Sequence, residues 1–286
     1  MLPQQLNIRN DVAHALQEDV GPGDVSAAIF PPTLLGSAEI ISREPMVVCG
    51  QQWVETSFHI LNPALKIDWL VKEGQYLEHG TVLCQVVGQV AAILTAERTA
   101  LNFLQTLSAT ATKTYRYVEK LKNYKARLLD TRKTLPGLRL AQKYAVRCGG
   151  GGNHRLGLYD AFLLKENHIQ ACGSIKQAVL QARDIHPNLL LEVEVENIVE
   201  LMEAIAALPD RILLDNFPLP MLAEAVNINQ KHCLLEASGA VSLETIAAVA
   251  ATGVDFISVG ELTKSIKAID LSLLIRAVPS KSPGQY

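Results

Sequence analysis

From about residue 126 the chain repeats one unit: a short apolar run ending in a polar or charged residue, a polar loop, and an amphipathic stretch of helical period. The runs are ARLLDTRK (126–133), DAFLLKEN (160–167), LLLEVEVEN (189–197), RILLDNF (211–217), HCLLEASG (232–239) and DFISVGE (255–261). Between them, SIKQAVLQARDIH (174–186), NIVELMEAIAAL (197–208) and SLETIAAVAAT (242–252) carry apolar residues at i, i+3 and i+4. Short continuous apolar runs read as strands buried on both faces, and helical crossovers between them make the strands parallel. A β/α barrel or an open doubly wound sheet follows. The barrel is favoured because the chemistry-bearing residues stand at the ends of successive runs: Arg132 and Lys133, Lys165, Glu194, Asp215, Ser238, Gly260. In a barrel those ends converge on one mouth. Six runs are visible where a closed barrel needs eight, so the expected fold class is α/β with an incomplete barrel.

Residues 1–110 read differently. DVAHALQEDV has helical character, and SAEIISREPMVVCG and the segment from LKIDWLV onward alternate before turning helical near Thr95. This predicts an α+β cap domain over 1–110 and a barrel over 111–286. VKEGQYLEHGTVLCQVVG is similar to hairpins of swivelling β-rich modules, but it lacks the turn lysine that biotin or lipoate needs. At 49% hydrophobic and 19% charged, the chain can build two such cores. A net charge of −3 gives no overall pull toward nucleic acid or anionic membrane. Five scattered cysteines without a CxxC pair argue against a disulfide framework or structural zinc. With no secretory leader pattern and no apolar stretch near the ~20 residues that span a bilayer, a cytoplasmic protein is expected.

Against that balance, residues 130–168 concentrate cations: Arg132, Lys133, Arg139, Lys143, Arg147, His154, Arg155, Lys165 and His168, with only Asp130, Asp160 and Glu166 to offset them. Lys143 and Arg147, four apart on a helical stretch, read equally as a solvated face. Arg132, Lys133 and Lys165 follow apolar strands directly, where charge is costly unless it meets a polar cavity or a ligand. Glu192, Glu194 and Glu196 alternate, which predicts one carboxylate face in need of cations or Mg2+. EASGA (236–240), with a helix expected from Ser242, and SVGEL (258–262), opening a C-terminal helix, have the small residues that let backbone N–H groups reach a phosphate. A phosphorylated polyanion with a divalent cation is the expected ligand.

DTRKTLPGLRLAQKYAVRCGGGGNHRLGLYDAFLLKENHI (130–169) closely resembles the quinolinate phosphoribosyltransferase family. The likeness extends to TAERTALNFLQTLS (95–108), LEVEVEN, ILLDNF, LLEASG and GVDFISVGELTK (253–264), which is most of the chain. It implies a seven-stranded incomplete α/β barrel with an N-terminal open-faced sandwich domain, in a homodimer whose sandwich domain covers the partner's barrel mouth. It also implies transfer of phosphoribosyl from phosphoribosyl pyrophosphate to quinolinate, with Mg2+ and loss of CO2, in NAD biosynthesis. Carried over by position, Arg132, Lys133, His154, Arg155 and Lys165 form the quinolinate pocket, joined by Arg98 from the neighbouring subunit, and Thr131 is a further substrate-binding residue. Glu194 and Asp215 serve Mg2+ and the ribose, and Ser238, Gly239, Ala240 and Gly260 hold the 5'-phosphate. Lys133, Glu194 and Asp215 are the expected catalytic residues. One departure is Glu261, where the family often has alanine; an acid there weakens phosphate binding unless it points away. In CGGGGNHR (148–155), one glycine ends a helix, and the others are expected to let the backbone fold back so that His154 and Arg155 reach the pocket. Because the segment precedes a strand, a simple barrel places it at the wrong end; only the resemblance puts it in the site.

Three other readings remain open at this level. Lys165 could be a Schiff-base nucleophile of a barrel aldolase. A divergent relative could act on another base or serve metal-oxyanion uptake, and a noncatalytic anion-binding protein could use the same cations.

Overall fold

Each of the six apolar runs becomes a strand, joined to its neighbours in parallel register, in the computed structural model, which describes residues 6–277. The strands are β1 (Leu35–Ser42), β2 (Met46–Val47), β3 (Lys66–Trp69), β4 (Tyr76–Leu77), β5 (Val82–Gln89), β6 (Arg127–Leu129), β7 (Ala161–Leu164), β8 (Leu190–Val195), β9 (Arg211–Asp215), β10 (Leu234–Ser238), β11 (Phe256–Ser258) and β12 (Leu271–Ala277). The helices are α1 (Ile8–Val20), α2 (Gln51–Leu61), α3 (Val90–Leu121), α4 (Arg139–Cys148), α5 (Glu166–Cys172), α6 (Ile175–Ile185), α7 (Ile198–Ala207), α8 (Leu219–Asn229), α9 (Ile246–Ala251) and α10 (Glu261–Lys264). They fall into two units. One holds the described residues up to Lys113, together with Pro136–Gly149 and those from Ile266 on; the other holds Thr114–Leu135 and Gly150–Ser265. The sequence boundary near residue 110 lies close to Lys113, but α4 and β12 return to the first unit.

In the second unit the strand order is β6-β11-β10-β9-β8-β7. From β7 to β11 each strand pairs with the next in the chain, and β11 closes back onto β6. Only the space between β6 and β7 stays open, and the glycine segment occupies part of it. Gly152 donates to the Leu128 carbonyl at 2.8 Å and accepts from the Asp130 N–H at 3.2 Å, a parallel bridge to Leu129. The GGN stretch is thus a rudimentary seventh strand, and no pairing joins it to β7 among the described residues. Geometry favours glycine at two positions of the CGGGGN segment. Gly150 has φ +88°, which side chains resist, and a Cβ on Gly152 would stand 2.9 Å from Leu129 Cδ2. This removes the difficulty of the segment preceding β7: a strand parallel to β6 ends at the same mouth.

Alternation sets what faces the interior. Leu191, Val193, Ile212, Leu214, Leu235 and Ile257 are almost wholly buried on one face of the sheet, while the intervening Glu192, Arg211 and Glu236, also buried, point the other way, into the barrel. The expected face of three glutamates holds only two. β8 ends at Val195, and Glu196 lies exposed beyond it with its N–H bound to Glu200 Oε2 at 2.9 Å. Ser174 and Asn197 cap α6 and α7 through Gln177 N (3.2 Å) and Glu200 N (3.0 Å). The helix expected from Ser242 begins only at Ile246, because Ser242 and Thr245 first close a turn on each other. The expected C-terminal helix is one turn, α10, before the chain leaves for β12.

The first unit is an antiparallel sheet, β12-β1-β5-β3. One face buries Ala38, Ile40, Cys84, Val86 and Leu273 in a core with Val54 and Phe58 of α2 and Ile93, Ala100 and Leu104 of α3. The other face is polar: Glu39 accepts from Gln85 Nε2 at 3.3 Å and from Arg276 Nε at 2.6 Å. This is an open-faced sandwich. Its long helix starts at Val90, ahead of the expected Thr95. Lys143 on α4 is not on a solvated face; it is 1% exposed, and Arg147 is the exposed one of the pair. No helix of the described residues is long and apolar enough to cross a membrane.

Gly152→Ala should lower stability by about 1–3 kcal/mol, since the new methyl must displace Leu129. Thermal melting checks this, and an unchanged melting temperature would show that the strand is not held against β6.

Candidate active site

The C-terminal ends of the barrel strands enclose a cavity of about 460 Å³. After β6 come Thr131, Arg132 and Lys133, and after the Gly152 strand come His154 and Arg155. Lys165 follows β7, Glu194 lies near the end of β8, and Asp215 and Ser238 end β9 and β10; Gly239 and Gly260 complete the rim. All of these predicted residues therefore meet in one place. Ala240 instead lines a neighbouring cavity of about 370 Å³ that shares Ser238 and Asn216 with the first. Arg98 is exposed on α3 in the other unit.

Asp130, fully buried at the end of β6, fixes the entry of the glycine segment. It accepts from Asn153 Nδ2 at 2.6 Å and from the His154 N–H at 2.9 Å. The Arg155 N–H then donates to His154 Nδ1 at 2.7 Å, which leaves Nε2 to carry the ring proton. Nε2 lies 2.8 Å from Glu192 Oε2, close in distance though off the direction of a hydrogen bond. Arg155 is half-buried beside Arg132, and burial followed by the like charge of Arg132 pulls its pKa down. Arg132 Nε is buried with no hydrogen-bond partner among the described residues. Two guanidinium groups crowded together, one with an orphaned donor, form a site that an anion would complete.

Lys165 is different, because its ammonium is paired with the Glu194 carboxylate. A Schiff-base nucleophile needs a neutral, desolvated amine, so this pairing opposes the aldolase reading. Lys133 has its backbone held on both sides, its N–H to Thr131 Oγ1 at 3.1 Å and its carbonyl to the buried Thr263 hydroxyl at 2.7 Å. Its side chain crosses Gly260, where an added Cβ would lie 3.0 Å from Lys133 Cδ. Asp215 Oδ2 accepts from Asn216 Nδ2 at 2.8 Å. Glu261 is not on the cavity wall: the hydroxyl of buried Tyr117 donates to its carboxylate, turning the acid toward α3.

Beneath the cavity sits a layer of buried charge. Arg211 Nη1 lies 2.7 Å from Glu236 Oε2 and 3.9 Å from Glu192 Oε1, with its guanidinium 4.1 Å from the centre of the Phe256 ring. Burial pushes both carboxyls up to about 7, with Arg211 opposing at Glu192 and the charge of Glu192 adding at Glu236. Two carboxyls facing one guanidinium near neutrality behave as a pair that shares a proton.

The chain matches the family described as "Quinolinate phosphoribosyl transferase, N-terminal domain" over residues 24–108 and "Quinolinate phosphoribosyl transferase, C-terminal domain" over residues 110–274. It belongs to the quinolinate phosphoribosyltransferase family. A probable nicotinate-nucleotide pyrophosphorylase (carboxylating) of Bacillus subtilis is 39% identical, over 94% of this chain and 93% of that one. The Mycobacterium leprae nicotinate-nucleotide pyrophosphorylase (carboxylating) is 41% identical over 93% and 96%. The structure of the nicotinate-nucleotide pyrophosphorylase from Francisella tularensis superposes with a TM-score of 0.92 at 48% identity, covering 94% and 96% of the two chains.

Among features of this family member that sequence reasoning passed over, Arg211 and Glu236 matter most. Both were inside quoted runs, RILLDNF and HCLLEASG, and their signal was available: a charge within an apolar strand that no loop or cap explains.

Arg211→Met leaves two buried carboxyls without their cation and should cost about 3–5 kcal/mol by chemical denaturation. The pH dependence has a fixed sign. Folded values near 7 against an ordinary 4.5 mean that the folded state binds more protons than the unfolded chain between those limits, so stability falls as pH rises from 4.5 to 7. Glu236→Gln should flatten that slope in a denaturation series; an unaltered slope would place the titration elsewhere.

Proposed function

We infer that the cavity carries out one reaction, phosphoribosyl transfer from phosphoribosyl pyrophosphate to quinolinate with decarboxylation. The products are nicotinate mononucleotide, pyrophosphate and CO2, and the reaction is a step of NAD biosynthesis. The orphaned Arg132 donor beside Arg155 is the observation that supports quinolinate binding there. A planar guanidinium matches a carboxylate with two parallel N–H groups, and two such groups suit a dicarboxylate. His154, Lys133 and Thr131 line the same cavity, and Lys165 balances Glu194 until substrate arrives.

The pyridine nitrogen is already a nucleophile and needs no general base, so the protein's work is alignment and charge. Arg132 and Arg155 orient the ring, Lys133 offers charge to the departing pyrophosphate, and Glu194 and Asp215 face the ribose, whose C1 becomes cationic as the bond breaks. Ser238, Gly239 and Gly260 receive the 5'-phosphate, with Ala240 just outside. After transfer the ring nitrogen is positive and stabilises the carbanion left when CO2 departs, and that carbon then takes up a proton from water to give nicotinate mononucleotide. Glu194 and Asp215 are hard oxygen donors at the cavity wall, too few to cage an ion alone but suited to one that also binds phosphate oxygens and water. A bound Mg2+ would supply charge neutralisation to the leaving pyrophosphate.

A homodimer in which Arg98 reaches the partner's site is part of the same reading, supported by the exposure of Arg98. So is a cytoplasmic location without membrane or nucleic-acid partners, in keeping with the five free cysteines.

Purified protein given quinolinate, phosphoribosyl pyrophosphate and Mg2+ should yield nicotinate mononucleotide and CO2 by mass, and none of either when nicotinate replaces quinolinate. Arg132→Ala should raise KM for quinolinate at least tenfold with little change for phosphoribosyl pyrophosphate, the loss of about 1.4 kcal/mol or more expected for a charged hydrogen bond. Equal loss for both substrates would place Arg132 outside the quinolinate pocket. Mixing inactive Arg98→Ala and Lys133→Ala proteins should restore part of the activity, and no recovery would sink the shared site.

A further inference from the structure

The first unit holds a cluster that the phosphoribosyl chemistry does not use. The Cys49 and Cys148 sulfurs and a Glu73 carboxylate oxygen lie within 4.8 Å of one another. Cys49 is fully buried just ahead of α2, and Cys148, half-buried, is the last residue of α4. A metal ion is a poor occupant, because Glu73 is already committed. Its Oε1 accepts from the Gly50 N–H at 2.8 Å and the Tyr144 hydroxyl at 3.0 Å, and its Oε2 accepts from the Gln51 N–H at 3.2 Å. Glu73 caps the start of α2, while the two thiols hydrogen-bond each other, with the Tyr144 hydroxyl also against Cys148 and Glu73 against Cys49.

We propose that Cys49 and Cys148 are a redox pair that closes to a disulfide on exposure to peroxide, with Cys148 as the attacking sulfur and Cys49 as the resolving one. The roles follow from the setting. The hydrogen bond from the Cys49 thiol lowers the Cys148 pKa against its burial, while burial pushes Cys49 up. Cys84 and Cys233 are held up by burial, and the Cys172 thiol donates to Gln181 Oε1 at 3.4 Å. The Cys148 thiolate attacks one peroxide oxygen; an S–O bond forms, the O–O bond breaks, and the released hydroxide takes a proton to become water. Cys49 then loses its proton and attacks the Cys148 sulfur, forming S–S and expelling the sulfenic oxygen as a second water. Two thiols are oxidised by two electrons, and one peroxide is reduced to two waters.

Closure has a direction. The Cys49 backbone is held by Ser108, which accepts its N–H at 3.0 Å and donates to its carbonyl at 3.1 Å. The approach to a bond of about 2.05 Å therefore falls on Cys148. Cys148 runs straight into Gly149 and Gly150, then Gly152, His154 and Arg155. Drawing in the end of α4 strains the strand that delivers those two side chains, so oxidation lowers quinolinate turnover. This last link rests on the function proposed above; the bond itself does not.

The full-length protein is treated with hydrogen peroxide, alkylated, digested without reductant and mapped by mass. A Cys49–Cys148 peptide lighter by two hydrogens, with several-fold lower activity that dithiothreitol restores, is the expected result. Cys49→Ala and Cys148→Ser should give no such peptide and keep their activity in peroxide. Sulfinic acid at Cys148 without a cross-link, or a cross-link to another cysteine, overturns the pair. A cross-link without loss of activity, or a loss that persists in Cys49→Ala, overturns its effect on turnover. Cross-linking in a protein inactive toward quinolinate from the start would uphold the pair and count against the function instead.

Discussion

The parallel pairing of Gly152 with Leu128 and Asp130 determines where the cations can be. A barrel strand needs a backbone that approaches its neighbour to hydrogen-bonding distance, and at Gly152 the approach is close enough that a Cβ would have to displace Leu129. The segment has almost no apolar surface of its own to bury, so its position depends on those two hydrogen bonds and on the buried Asp130 carboxylate, which binds both Asn153 and the His154 backbone. Without them His154 and Arg155 would belong to an unconstrained loop. With them the two side chains stand at the same mouth as Arg132 and Lys165.

The layer below follows from that placement. A barrel interior normally fills with branched apolar residues, whereas here Glu192, Arg211 and Glu236 fill it, and burial raises both carboxyls. Such a layer costs stability compared with apolar packing. What it supplies is a polar floor that meets His154 Nε2 from below, while Nδ1 is fixed from above by the Arg155 N–H. The bond at Nδ1 fixes the tautomer of the ring, and the carboxylates lie close to the nitrogen that carries the proton.

Much of this was legible in the chain. The barrel strands could be read because strands buried on both faces leave continuous apolar runs, and the residues at their ends stood out because charge after such a run is expensive. Arg132, Lys165 and Asp215 were visible on that ground alone. The Gly152 strand was not, since a strand made of glycine and asparagine has no hydrophobic period. The return of β12 to β1 was equally hidden: Leu271–Ala277 pairs with Leu35–Ser42 across more than two hundred residues, and local pattern says nothing about which sheet a strand joins. The third glutamate of LEVEVEN failed for a simpler reason, as alternation holds only while the strand continues, and β8 ends at Val195. The Glu192–Arg211–Glu236 layer lay between the legible and the hidden. Each charge could be seen inside its run, but register across three strands, which brings them together, is a tertiary property.

Glu261 shows how a local rule can give way to one contact. An acid at the first turn of α10, next to a glycine expected to receive phosphate, should repel that phosphate. The Tyr117 hydroxyl, buried on α3, changes the outcome by donating to this carboxylate. The acid then serves as the acceptor that a buried phenol requires, and burial and the carboxylate together hold the phenol protonated. Tyrosine and glutamate are therefore coupled. Replacing Glu261 by alanine alone would remove the carboxylate to which the buried hydroxyl donates, whereas phenylalanine at 117 together with alanine at 261 would remove that donor as well. The two positions should be substituted together if the turn at Gly260 is to keep its shape.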